Sequence, residues 1–217
     1  MTENTAPASS GPAVPAGPGE PGRAPRRLRA DAQRNIDTLL TAAKAVFATS
    51  GVDAPAKEIA DLAGVGVGTL YRHFPQRSDL VKAVFHRGVD ACADAAPALL
   101  AAHEPGVALA KWLQQYTGFV ATKRGLAAAL HSGDPAFDAL PGYFMQRAEP
   151  ALGSLLQAAA ASGEIRADIS PRYLLYAVAS LCLPVPGETV AYSQRMVELL
   201  LDGLRYGAGA SQAPARP

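Results

Sequence analysis

The chain has 217 residues, of which 49% are apolar, and a formal net charge of +1, so it can bury a sizeable core and is not strongly basic as a whole. Its two cysteines, Cys92 and Cys182, have no C-x-x-C spacing, which argues against a disulfide framework, a zinc site or any other metal centre. No run of 18 apolar residues marks a membrane span, and no apolar N-terminal core marks a signal peptide, so a reducing cytoplasmic setting without cofactor is expected.

Alanine and leucine dominate and β-branched runs are scarce, which favours an all-α fold. Residues 1–28 are mostly Pro, Gly, Ala and Ser, a composition that predicts a disordered tail. It ends in the basic run Arg23-Ala24-Pro25-Arg26-Arg27-Leu28-Arg29. Two readings stand for that run: an arm reaching an adjacent DNA groove, or a solvated linker.

The first helix is expected from about Ala30 to Thr49, with Ile36, Leu39, Leu40, Ala43, Val46 and Phe47 on one stripe. Gly51 suits its C-cap, and Asp53 with Pro55 marks the next start. The second helix turns Ile59 and Leu62 inward, and Gly64 fits a tight turn. A short third helix spans about Val67 to Phe74 and stops at Pro75. It carries Thr69, Tyr71, Arg72 and His73, polar side chains long enough to reach a nucleic-acid backbone or base edge. Two short helices joined by a tight turn form a helix-turn-helix, whose second helix enters the major groove. Charge agrees: Arg23 to Arg87 holds 11 Lys/Arg against 6 Asp/Glu, whereas Gly88 onward holds 9 against 11.

A fourth helix, capped by Ser78 or Gln76, carries Leu80, Val81, Val84 and Phe85 to about Ala96, with Pro97 and the segment 103–106 breaking the pattern. Further helices are expected from about Val107 to Thr122, Arg124 to Leu130 and Phe137 to Ala161, the last bent near Pro141 or Pro150. Ser170-Pro171 opens a helix to Leu183 that is apolar nearly all round, and a last helix spans about Val190 to Tyr206. Such helices need cover on every side, which a partner subunit or the monomer's own core can supply; the expectation is a homodimer through these two helices.

The residues from Arg29 to Leu80 resemble the N-terminal domain of the TetR family of transcriptional regulators. The resemblance rests on Ala42-Ala43, Phe47, Gly51, Glu58-Ile59-Ala60, Ala63-Gly64-Val65, Gly68-Thr69-Leu70-Tyr71-Arg72-His73-Phe74 and Leu80. It implies a three-helix DNA-binding domain at 29–75 and a ligand-binding and dimerisation bundle at 76–207; the residues after Gly207, 208–217, read as a short disordered tail. It also implies a repressor whose small-molecule effector shifts the two reading heads and releases a double-stranded operator.

Carried over by position, Gly66, Val67, Gly68 and Thr69 open the reading helix, and Tyr71 and His73 match phosphate contacts. Arg72 reads a guanine edge or clamps a phosphate, and Arg77 matches a basic phosphate contact. Two departures stand out. Pro55 and Ala56 replace the Ser or Thr of many members, leaving Lys57 as the substitute phosphate contact. Gly66 and Val67 replace a Ser and a Lys, so base recognition falls to Arg72, Thr69, methyl contacts and DNA shape.

In the second part, Trp112, Tyr116, Phe119, His131, Phe137, Tyr143, Phe144 and Met145 are the candidates to line an effector pocket, with ordinary core packing as the rival reading for each. His103 and His131 have no metal-ligand spacing. Two other functions stand as alternatives: a regulator whose bundle binds a protein partner or no ligand at all, and, more remotely, a small hydrolase. The chain has no Gly-x-Ser-x-Gly elbow, no His-Glu-x-x-His and no phosphate-binding glycine loop, so an enzyme is not expected.

Overall fold

The computed structural model describes residues 23–183, 187 and 190–206; residues 1–22 of the tail expected at 1–28, and the tail expected at 208–217, lie outside these, whereas 23–28 are helical. The described residues form helices and no strand. In chain order the helices are α1 (Arg23–Ser50), α2 (Ala56–Ala63), α3 (Val67–His73), α4 (Arg77–Ala102) and α5 (Pro105–Gly125). They continue with α6 (Ala127–Leu130), a 3-10 turn (Pro135–Phe137), α7 (Leu140–Ala161), α8 (Pro171–Leu181) and α9 (Val190–Arg205).

Leu62, expected inward, is 60% exposed on α2, α5 opens at Pro105 rather than Val107 and α8 stops at Leu181 rather than Leu183; three further boundaries differ from the sequence expectation for a clear local reason. Helix α1 starts at Arg23, not near Ala30. Pro25 falls in its first turn, where a missing N–H costs nothing, and the Arg, Leu and Ala residues that follow are good helix formers. Helix α4 runs through Pro97, where a break was expected. The exposed proline costs about 3 kcal/mol in a helix interior, but Cys92, Ala93 and Ala96 are buried beside it and hold that stretch against its neighbours. Helix α7 starts at Leu140 rather than Phe137. Pro141 cannot donate a hydrogen bond back to residue 137, and Asp134 caps a separate 3-10 turn by accepting from the Ala136 N–H at 2.9 Å.

Helix α4 is the spine. It packs against α5 and α7 along its length and against α1 at its N-terminal end. Its start is fixed by the Asp79 carboxylate, which accepts from the Gln76 backbone N–H at 3.2 Å. Arg87 of α4 donates to the Asp37 carbonyl of α1 at 2.7 Å, which ties the spine to the first helix. Helix α5 also lies against α1: a Cβ on Gly125 would collide with the Phe47 carbonyl oxygen, so only glycine permits this approach. One hydrophobic core runs from Leu39 and Phe47 through Leu80 and Phe85 to Trp112, Leu155 and Leu201. The N-terminal helices and the bundle are therefore joined by continuous packing.

Trp112 is fully buried, and its indole N–H donates to the Cys92 carbonyl at 2.7 Å. The Tyr116 hydroxyl donates to the Leu175 carbonyl at 3.2 Å, so both large polar aromatics of α5 are satisfied in the core. Ser170 caps α8 by accepting from the Tyr173 N–H at 3.4 Å. Helices α8 and α9 turn Leu174, Leu175, Val178, Val197, Leu201 and Leu204 inward. They leave Tyr173 74% and Leu199 64% exposed.

Candidate nucleic-acid interface and ligand cavity

The turn between α2 and α3 is set by Gly64, whose φ of 68° and ψ of 28° are left-handed. Val65 N–H donates to the Ala60 carbonyl at 3.0 Å and Gly64 N–H to the Asp61 carbonyl at 3.1 Å. This pair of bonds closes α2 and redirects the chain at once, as only a residue without Cβ does cheaply. The Gly66 carbonyl accepts from Thr69 N–H at 2.8 Å and starts α3 at the next residue, Val67.

Leu70 and Phe74 pin α3 to the core, at 2% and 8% exposure. With those two inward, helical geometry turns Gly68, Tyr71 and Arg72 outward, flanked by the half-buried Val67, Thr69 and His73. Tyr71 is 52% exposed. A Cβ on Gly66 or Gly68 would meet no protein atom within 4 Å, so both glycines keep an open surface low rather than admit a neighbouring helix.

Two further candidate DNA contacts are engaged with the protein itself. Lys57 is exposed, but its Nζ sits 2.5 Å from the Asp61 carboxylate one turn along α2. Arg77 is half-buried: Nη2 donates to the Ala54 carbonyl, and the guanidinium lies 5.4 Å from the Phe47 ring centroid. Arg77 thereby ties the loop before α2 to the start of α4, through a hydrogen bond and a cation–π contact.

The bundle holds a cavity of about 510 Å³ between α5, α6, α7 and the end of α8. Its walls include Tyr116, Phe119 and Val120 of α5, Phe144 of α7, and Ala179, Cys182 and Leu183 at the end of α8. Lys123, Arg124, Ala127 and His131 border it at the other end of α5. The three aromatic rings are stacked: Phe144 lies 5.9 Å from Phe119 at 9° and 5.8 Å from Tyr116 at 17°. His131 is exposed, with Nδ1 2.9 Å from the Ala127 carbonyl.

Of the candidate pocket residues, Tyr116, Phe119, His131 and Phe144 border this space. Trp112, Phe137 and Tyr143 sit elsewhere. Trp112 stacks behind Tyr116 at 5.6 Å, one turn deeper in the core. Phe137 is buried in the turn before α7. The Tyr143 hydroxyl donates to the Asp90 carboxylate at 2.6 Å, a bond that raises the phenol above its ordinary range. Arg147 joins the same group, holding Asp90 at 2.9 Å and Asp94 at 2.6 Å between α7 and α4.

Lys123, Arg124, Ala179 and Cys182 did not stand out in the sequence. Basic residues in a last helical turn read as partners of the helix dipole, and small residues in an apolar helix read as packing. A signal was nonetheless present: Tyr116, Phe119, Val120, Lys123 and Ala127 recur at helical spacing, so a lysine interrupts an apolar stripe. Among the described residues no three His, Cys, Asp or Glu side chains could together hold a metal ion. No described helix is long and apolar enough to cross a membrane.

Residues 39–84 match the family described as bacterial regulatory proteins, tetR family, and residues 104–206 match the C-terminal domain of SbtR-like transcriptional regulators. The chain is 38% identical to a TetR transcriptional regulator of known structure from Streptomyces coelicolor, covering 78% of this chain and 98% of that one, with a TM-score of 0.69. It is 37% identical to a TetR transcription regulatory protein from Mycobacterium vanbaalenii, covering 82% and 99%, with a TM-score of 0.65. An HTH-type transcriptional regulator from Staphylococcus aureus is 40% identical over 68 residues, which is 30% of this chain and 35% of that relative. The chain thus spans about a third of the length of that curated relative. Two relatives matched over nearly their whole length, and two family models in the expected order along α1–α9, lead to one conclusion: the chain belongs to the TetR family of bacterial transcriptional regulators.

Proposed function

We propose that the protein is a sequence-specific repressor that binds an operator through α3 and leaves it when a small molecule occupies the cavity. The observation that carries the DNA-binding part is the outward set Gly68, Tyr71 and Arg72 on a helix anchored from beneath by Leu70 and Phe74. Tyr71 and His73 hold phosphates, and Arg72 reaches a guanine edge, where a bidentate fork is worth ~1–3 kcal/mol of discrimination. Gly66, Val67, Gly68 and Thr69 let the helix approach the groove closely. Lys57 and Arg77 contribute positive charge beside the backbone, Arg77 mainly by orienting the head.

The working unit is a homodimer that presents α3 twice, and α8 with α9 is its contact. The exposed Tyr173, Tyr176 and Leu199 support this face, because large apolar side chains left uncovered on two adjacent helices are what a partner copy would bury. The cavity supports a small-molecule effector over a protein partner, since a space of about 510 Å³ is of ligand size. Phe119 stands between cavity and spine, 5.7 Å from Phe85 of α4, and offers the route by which occupancy moves the heads. An effector that favours the non-operator state by ~1–3 kcal/mol lowers DNA affinity about 5- to 150-fold.

A footprint on the DNA flanking the protein's own gene tests the reading. Protection of a two-fold symmetric site is expected, and absence of protection at low salt, where phosphate contacts are strongest, would overturn it.

A further inference from the structure

We propose that the cavity takes a flat apolar ligand carrying an anionic group, a carboxylate or sulfonate, with the anion held at the cavity's edge by Lys123 and Arg124. The proposal rests on the reading of the cavity as the effector site and adds the chemical class. Three observations carry it. The near-parallel rings of Phe119, Phe144 and Tyr116 form a stacked wall, against which a planar body gains most contact. The polar groups of that wall are already used, the Tyr116 hydroxyl by the Leu175 carbonyl and the His131 ring nitrogen by the Ala127 carbonyl. Lys123 and Arg124 border the same space, and their side chains have no hydrogen bond or ion pair among the described residues.

The described lining contains no Asp or Glu, so nothing there offsets the charge of a cationic ligand, whereas two cations await an anion. Lys123 lies on the same helical stripe as Tyr116, Phe119 and Val120, which aligns charge and apolar wall along one ligand. Placement in the last turn of α5 suits the helix dipole, but that alone does not put two basic residues at the edge of a cavity.

The test uses the full chain and two fluorescent probes, anilinonaphthalene sulfonate and its uncharged parent phenylnaphthylamine, which share one ring system. The sulfonate is expected to bind about tenfold tighter, a difference of ~1.4 kcal/mol. The double variant Lys123→Gln/Arg124→Gln is expected to remove that advantage and to leave the parent within about twofold. Added salt should weaken the sulfonate alone, a check that needs no variant. Equal or tighter binding of the parent overturns the proposal, as does an advantage that survives both the double variant and salt. Ala179→Trp, which fills the cavity, should abolish both probes. If neither probe binds the native protein, or if both bind this filled variant unchanged, the cavity reading itself falls, and the proposal with it.

Discussion

Gly88 of α4 leaves its side-chain space to the ring of Phe119: a Cβ on Gly88 would stand 2.8 Å from Cδ2 and 2.9 Å from Cε2 of that ring. The same ring forms part of the cavity wall and stacks on Phe144. A single side chain thus touches the cavity, α7 and the helix that runs back to the DNA-binding head. The fit is close on the side of the spine, so a ligand that pushes Phe119 pushes α4.

Gly88→Ala is therefore expected to destabilise the protein by ~1–3 kcal/mol through overpacking. In a Phe119→Ala background the clash is gone and only helix propensity remains, so the same substitution should stabilise by up to ~1 kcal/mol. Chemical denaturation of the four proteins reads this reversal of sign. A cost that persists without the ring would show that Gly88 serves some other neighbour.

Tyr71→Ala and Arg72→Ala should divide the labour of α3. Loss of a phosphate contact weakens all sequences alike, so Tyr71→Ala lowers affinity uniformly. Loss of a guanine fork costs ~1–3 kcal/mol at one base position, so Arg72→Ala flattens the preference there. Binding measured across a set of single-base operator variants separates the two, and parallel losses by both variants would refute the division.

The contrast between Gly64 and Gly68 was half legible in the sequence. A glycine after Ala63 and before Val65 reads as a turn, and the structure gives it a φ of 68°. Gly68 lies inside α3, where pattern alone does not say what approaches it, and a Cβ there would meet nothing within 4 Å. Gly64→Ala should lose ~1–2 kcal/mol of stability because an L residue is strained at that angle. Gly68→Ala should gain up to ~1 kcal/mol of stability and yet, on the proposed docking of α3, bind the operator more weakly, because the added methyl would stand between the helix and the duplex. Thermal melting with a gel-shift series checks both, and unchanged DNA affinity in Gly68→Ala would remove Gly68 from the interface.

The helices themselves were readable because apolar residues recur at helical spacing and Gly, Pro and Ser punctuate them. The path of α4 through Pro97 was not, because local chemistry at a proline argues for a stop and only the packing of Ala93 and Ala96 overrides it. Aromatic content pointed to the part of α5 and α7 that borders the cavity. The boundary between cavity wall and core was invisible, since Trp112 and Tyr116 are both apolar-stripe aromatics one turn apart and only the fold sets one behind the other. Lys123 and Arg124 were hidden by a simpler role that every helix C-terminus offers.

Burial pushes the Cys92 thiol up from 9.0 to about 11, with Lys44 pulling weakly the other way, and burial also raises Cys182 and the Tyr116 phenol. All three hold their protons more tightly folded than unfolded. The native state therefore binds more protons than the unfolded state above about pH 9, and stability falls as pH rises. The contribution from Cys92 is complete below the unfolded thiol's 9.0 and is lost as pH climbs through about 11. Melting temperatures from pH 8 to pH 11 should fall, and Cys92→Ala, though less stable at pH 8, should fall less steeply. An identical slope in the variant would assign the alkaline sensitivity to other groups.

Tyr173 and Leu199 are 74% and 64% exposed on the two helices proposed to meet a second copy. Burying such side chains stabilises association by ~25 cal/mol for each Å² of apolar surface removed from water. A glutamate in place of either would bring an unpaired charge into the contact, and by two-fold symmetry the charge enters twice. Tyr173→Glu/Leu199→Glu is thus expected to sediment as a folded monomer where the native chain sediments as a dimer. Each monomer carries a single α3, so it should bind a half-site weakly and lose the affinity gained by linking two heads, a loss on the order of 10²-fold or more. Circular dichroism establishes that the monomer keeps its helices. A double variant that remains dimeric and binds the full operator as well as the native chain would place the contact on another face of the bundle.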